Sequence, residues 1–97
     1  MKPLNVGEAL IYPFSEKSKL ILRREKVGFT VVHPLNLDQF YFNASGAMIL
    51  DAYYNSKSKS EIVDLFKNLF PKQNLPFEKW INAFTNYLEE IDLMPRR

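Results

Sequence analysis

The residues able to do chemistry in this 97-residue chain are few: one histidine, His33, no cysteine, and a set of acidic side chains with no obvious metal-ligand spacing. An imidazole acts as a base, acid or ligand only when a partner orients it, and His33 stands between Val32 and Pro34 at the end of a β-branched run. It reads as a structural histidine and is assigned no chemistry. Glu89 and Glu90 are adjacent carboxylates, but neighbouring side chains on a helix point about 100° apart, so the pair reads as a solvated face rather than an acid/base couple. The absence of cysteine removes disulfides, thiolate nucleophiles, and zinc–thiolate or iron–sulfur ligation from this chain. Neither an enzyme nor a resident cofactor is expected.

What remains is chemistry of the backbone. Gln39, Phe40, Tyr41 and Phe42 make a short aromatic strand without Pro or Lys, with Asp38 as its nearby charge. If this strand lies at a sheet edge, its free N–H and C=O groups accept a further strand. Asn43 follows as a helix N-cap, and Ala47, Met48, Ile49 and Leu50 supply an apolar helical segment.

Other elements must position that strand. LILRREK and GFTVVH read as two strands about a turn at Lys26 to Gly28, ended by Pro34. Upstream, ALIY has the composition of a short strand, but Pro3, Pro13 and SEKSK punctuate both sides, so residues 1–19 are expected as an N-terminal arm open to pairing. A first helix is expected over residues 45–54, followed by the polar loop NSKSK. Ser58 and Glu61 form a capping box worth about 1 kcal/mol, and Ile62, Leu65, Phe66 and Leu69 follow at helical spacing up to Pro71. The third helix opens near Pro76. Phe77, Ile81, Phe84, Leu88 and Ile91 make one strip of it, with Trp80 and Tyr87 on one flank, giving apolar surface for two neighbours. The expected fold is α+β: a small winged-helix-like domain over residues 20–94, with a three-stranded antiparallel sheet followed by three helices.

Charge and hydropathy limit the partners. The formal charge is +2. Residues 77–94 carry Lys79 against Glu78, Glu89, Glu90 and Asp92, so the third helix would repel a nucleic acid backbone. The cations at 17, 19, 23, 24 and 26 leave a winged-helix DNA-binding or regulatory module as the alternative reading. The amino-terminal stretch lacks the apolar core of a secretory signal, and no apolar run approaches about 18 residues, so a soluble cytoplasmic protein without membrane contact is expected.

The order Phe42-Asn43, Ala47 with Ile49-Leu50, and Ser58 through Ile62, preceded by Arg24-Glu25 and Gly28 before FTVVHP, resembles the PqqD-like family. These are the RiPP recognition elements, which bind ribosomally synthesised precursor peptides. The resemblance covers residues 20–94. The chain departs from the family pattern at Phe42, where Leu is usual, and in NSKSK, where an Asp-Gly turn is frequent. The resemblance implies a non-catalytic protein that captures the leader segment of a precursor peptide by strand addition and presents the peptide to a modifying enzyme, often a radical SAM protein that brings its own cluster. Carried over by position, the peptide-binding residues are Asp38, Gln39, Phe40, Tyr41 and Phe42 on the strand and Ile81, Thr85 and Leu88 on the third helix. The same edge would permit a weak homodimer.

Overall fold

The structure, a computed structural model, describes residues 1–94. Four antiparallel strands, β1 (Ala9–Pro13), β2 (Lys19–Arg24), β3 (Phe29–Val32) and β4 (Gln39–Phe42), lie side by side in chain order. Three helices follow: α1 (Ala44–Tyr54), α2 (Lys59–Leu69) and α3 (Phe77–Glu90).

The mixed α+β class agrees with the sequence, but the sheet has four strands rather than three. The additional one is β1, paired with β2 from Ala9↔Arg23 to Pro13↔Lys19. Its alternation is that of a one-sided strand: Tyr12 is buried and Ile11 exposed. Pro13 does not break the pairing because of its phase. Arg24 N–H donates to Glu8 O at 2.9 Å and Phe14 N–H to Ser18 O at 3.0 Å; alternation between these bonded pairs turns the Pro13 nitrogen to the outer edge, where no N–H is needed. Packing then fixes the segment. Phe14 is fully buried, the Tyr12 hydroxyl donates to Asp51 Oδ1 on α1 at 2.5 Å, and Arg24 Nη1 donates to Leu4 O at 2.8 Å.

α1 and α2 start on capping side chains legible in the sequence. The Asn43 side chain accepts from Gly46 N–H at 2.8 Å, opening α1 directly off β4. At α2, Glu61 N–H donates to Ser58 Oγ and Ser58 N–H to Glu61 Oε1, so the expected capping box is present. The polar NSKSK loop contains a tight turn: Ser56 adopts a left-handed φ of 65°, and the Lys57 N–H returns to Ala52 O.

Apolar side chains from the sheet's inner face and all three helices form one core, with Leu20, Leu22, Val31, Leu50, Ile62 and Leu88 fully sequestered. α1 is the central helix, and Gly46 lets α3 approach it: a Cβ there would sit 2.9 Å from the Phe84 ring. The buried hydroxyls are paired. Thr85 Oγ1 donates to Ile81 O at 2.7 Å, and the Tyr53 hydroxyl reaches Thr85 Oγ1 at 2.6 Å, pinning α1 to α3. No helix among the described residues is long and apolar enough to cross a membrane.

Candidate functional site

β4 is an edge strand. Among the described residues it pairs only with β3, in the register Phe29↔Phe42, Thr30↔Tyr41, Val31↔Phe40 and Val32↔Gln39. Two observations set which backbone groups face outward. His33 N–H donates to Asp38 O at 2.8 Å. At the other end, a Cβ on Gly28 would lie 2.7 Å from Phe42 O, so that carbonyl points toward β3. Bonded and non-bonded pairs alternate along an antiparallel ladder, so Asp38, Phe40 and Phe42 face β3, while Gln39 and Tyr41 turn their N–H and C=O groups to open solvent. Gly28 also has a φ of 73°, in the left-handed region that favours glycine.

The opposite edge differs. By the same alternation β1 turns Ala9, Ile11 and Pro13 outward, and Pro13 has no donor. β4 carries neither proline nor lysine. As an open template for a further strand, it is the better of the two edges.

α3 supplies a wall beside β4. The Phe84 ring meets Phe42 edge-on, with centroids 5.5 Å apart, at the C-terminal end of the strand. At the other end, His33 Nε2 lies 3.0 Å from Asp92 O, close to where His33 pairs with Asp38. The helix and its last turn therefore run antiparallel to β4. The lengths agree, since residues 84–92 rise about 12 Å as helix and residues 38–42 span about 14 Å as strand.

The turn after α3 gives one of the acidic residues there, Asp92, a structural reason. Asp92 adopts a left-handed φ of 59°, Asp92 N–H donates to Glu89 O, and Leu93 N–H reaches back to Leu88 O at 2.8 Å, a Schellman turn. His33 is 1% exposed, and its Nδ1 accepts from Leu35 N–H at 3.1 Å. Nε2 is thus the protonated nitrogen and donates to Asp92 O. The histidine clamps the last turn of α3 to the loop that leads into β4, the structural role read from sequence.

The strand-side residues fall as the pleat dictates. Asp38, Gln39 and Tyr41 are exposed, Tyr41 by 73%; Phe40 is half-buried; Phe42 is buried with its ring against Phe84. On the helix, Ile81, Thr85 and Leu88 are each at most 2% exposed and face the core, and of the three Ile81 also lines a cavity between the helices. Thr85 sits in the core because its hydroxyl is satisfied by Ile81 O and Tyr53. The flank toward the edge is instead Trp80, Phe84, Tyr87 and Ile91, spaced at i, i+4, i+7 and i+11. Trp80 is 51% and Tyr87 38% exposed, while Phe84 and Ile91 are half-buried. The signal for this face was the pair of aromatics standing outside the main apolar strip. The arrangement offers two outward peptide units beside a band of apolar surface. No family model matches the chain, and no curated protein and no solved structure shows significant similarity to it.

Proposed function

We propose that this chain is a PqqD-like peptide-binding module of the RiPP recognition element kind, winged-helix-like in its finer architecture, that captures the leader segment of a precursor peptide by strand addition to β4. The carrying observation is the edge itself: Gln39 and Tyr41 present unpaired backbone groups next to the Trp80–Ile91 flank of α3. The peptide would lie between strand and helix as a fifth strand. The bound precursor is then handed to a modifying enzyme, a radical SAM protein in the reading favoured by the resemblance, with the iron–sulfur cluster and SAM held by that partner. The domain itself contributes no bond-making step and works in the cytoplasm.

Magnitudes assign the roles within such a site. Two residues offer at most four backbone hydrogen bonds, each worth about 0.5–1.5 kcal/mol net, or roughly 2–6 kcal/mol together before association costs. A micromolar complex needs about 8 kcal/mol. Backbone pairing therefore sets register, and burial of peptide side chains on the α3 flank must provide the remainder at about 25 cal/mol per Å² of apolar surface.

The test is calorimetric titration with overlapping peptides encoded beside the gene. Binding of one tile that weakens little between 50 and 300 mM salt, and that is lost when the peptide amides facing β4 are N-methylated, supports the proposal. Indifference to N-methylation, or binding of duplex DNA that collapses with salt, refutes it in favour of the DNA-binding alternative. Concentration-dependent self-association abolished by the same peptide would place homodimerisation on this edge.

A further inference from the structure

A second feature adjoins this groove. Between the start of α1, the end of α2 and the start of α3 lies a cavity of about 150 Å³. Its floor is Ile49, Phe66, Phe77 and Ile81, all buried. Its mouth is framed by Phe70, Leu75 and Trp80, which remain 39%, 36% and 51% exposed. The rings are mutually braced: Phe66 and Phe77 lie 6.0 Å apart, Phe70 and Phe77 6.1 Å, and Trp80 meets Phe77 edge-on at 6.0 Å.

We propose that this cavity is the anchor pocket for one neutral phenyl-sized side chain, Phe or Leu, of the peptide bound at β4, a claim that rests on the strand-addition reading above. Chemistry selects the occupant. Among the described residues no charged side chain lines the cavity, and its polar contributors are Ser45 and Gln73, so an ionised group would lose its hydration without a partner among them. Size selects further, since apolar cavities near 150 Å³ hold a benzene-sized molecule and stay dry when empty. A mere packing gap would be closed by its own rim, whereas three large apolar side chains here stay open to solvent around the mouth.

Position links pocket to groove. Ser45 follows the α1 cap that ends β4, and Trp80 belongs to the α3 flank that passes Phe84 and Phe42. One helical turn from Phe84 to Trp80 advances about 6 Å, the reach of about two extended residues. The anchor side chain therefore lies about two residues beyond the ladder, on the Phe42 side.

The probe for the pocket alone is toluene, followed through the fluorescence of Trp80, the chain's single tryptophan. The probe for the full claim is the tightest-binding peptide tile, with each Phe or Leu replaced by Ala in turn. Ser45→Phe grows into the cavity from an exposed position, and Leu75→Phe narrows its mouth from a loop as an independent second variant. The expected result is saturable toluene binding weakened at least tenfold in a folded variant, one peptide position whose replacement by Ala costs at least tenfold, and a similar loss for the unmodified tile on that variant. An absent toluene response overturns the pocket and leaves edge pairing intact. So does tight peptide binding to a variant that has lost toluene. Failure of every tile to bind removes the strand-addition reading and this inference with it.

Discussion

Proline placed at two successive positions of β4 tests the phase of the edge without any ligand. Phe40 faces β3 opposite Val31, and its N–H belongs to the internal ladder; Tyr41 faces outward, and its N–H has no ladder partner. Phe40→Pro removes one net hydrogen bond of about 1 kcal/mol, strands the Val31 carbonyl, and deletes a half-buried ring, for a total of about 3 kcal/mol or more. Tyr41→Pro removes a donor used only by water and a side chain that is 73% exposed. The restriction that proline imposes on the preceding residue is toward extended backbone, which Phe40 already has as a strand residue. Its cost should stay near 1 kcal/mol or below. Urea denaturation of both variants resolves the difference, because a domain of this size has about 5–15 kcal/mol of total stability. The reasoning is refuted if Tyr41→Pro is as damaging as Phe40→Pro. That result would mean the outward assignment of the Tyr41 peptide unit is wrong.

Other consequences concern the packing that holds the edge in place. Thr85→Val should remove the buried hydrogen bond that joins the Tyr53 hydroxyl to α3 and cost about 1 kcal/mol or more by denaturation, while peptide binding to the folded variant stays within about twofold, since Thr85 faces the core. Tyr12→Phe should cost about 1–3 kcal/mol at neutral pH by removing the buried hydrogen bond to Asp51 Oδ1, which leaves that carboxylate with the amino-terminal ammonium 3.9 Å from Oδ2. Burial, then the hydrogen bond and charge of Asp51, hold the Tyr12 phenol well above its ordinary value. The folded state thus keeps a proton that the unfolded chain loses near pH 10. Tyr12 contributes fully below that pH and progressively less above it, so the stability gap between the native chain and Tyr12→Phe should narrow as pH rises past 10, in denaturation curves run across that range. Gly28→Ala should destabilise by more than 1 kcal/mol, because a methyl group would meet Phe42 O and the backbone has a positive φ.

How far these features could be read from sequence depended on whether their cause was local. Helix starts were legible at Asn43 and at Ser58 with Glu61, since a cap is decided within three residues. The aromatic strand 39–42 was legible from its composition, and so was the structural character of His33. The strand Ala9–Pro13 was not, because Pro13 argues against pairing unless its phase is known, and phase depends on β2. Its inward anchor, Tyr12 to Asp51, spans 39 residues. On α3, the burial of Ile81, Thr85 and Leu88 was not legible for a similar reason. A helical wheel defines the width of an apolar stripe but not its rotation against a core, and here the core took the middle of the stripe and left the aromatic flank outside. The buried threonine was hidden further, since its acceptors lie on its own helix and on α1.

The measurement that tests the central claim most directly is residue-resolved amide hydrogen exchange along β4, with and without a saturating peptide tile. In the free protein, the Gln39 and Tyr41 amides should exchange fast while Phe40 and Phe42 are protected, giving an odd–even pattern. Strand addition predicts that the peptide slows Gln39 and Tyr41 selectively, by tenfold or more, with little change at Phe40. Binding that leaves Gln39 and Tyr41 as fast as before would contradict the account, whatever its affinity.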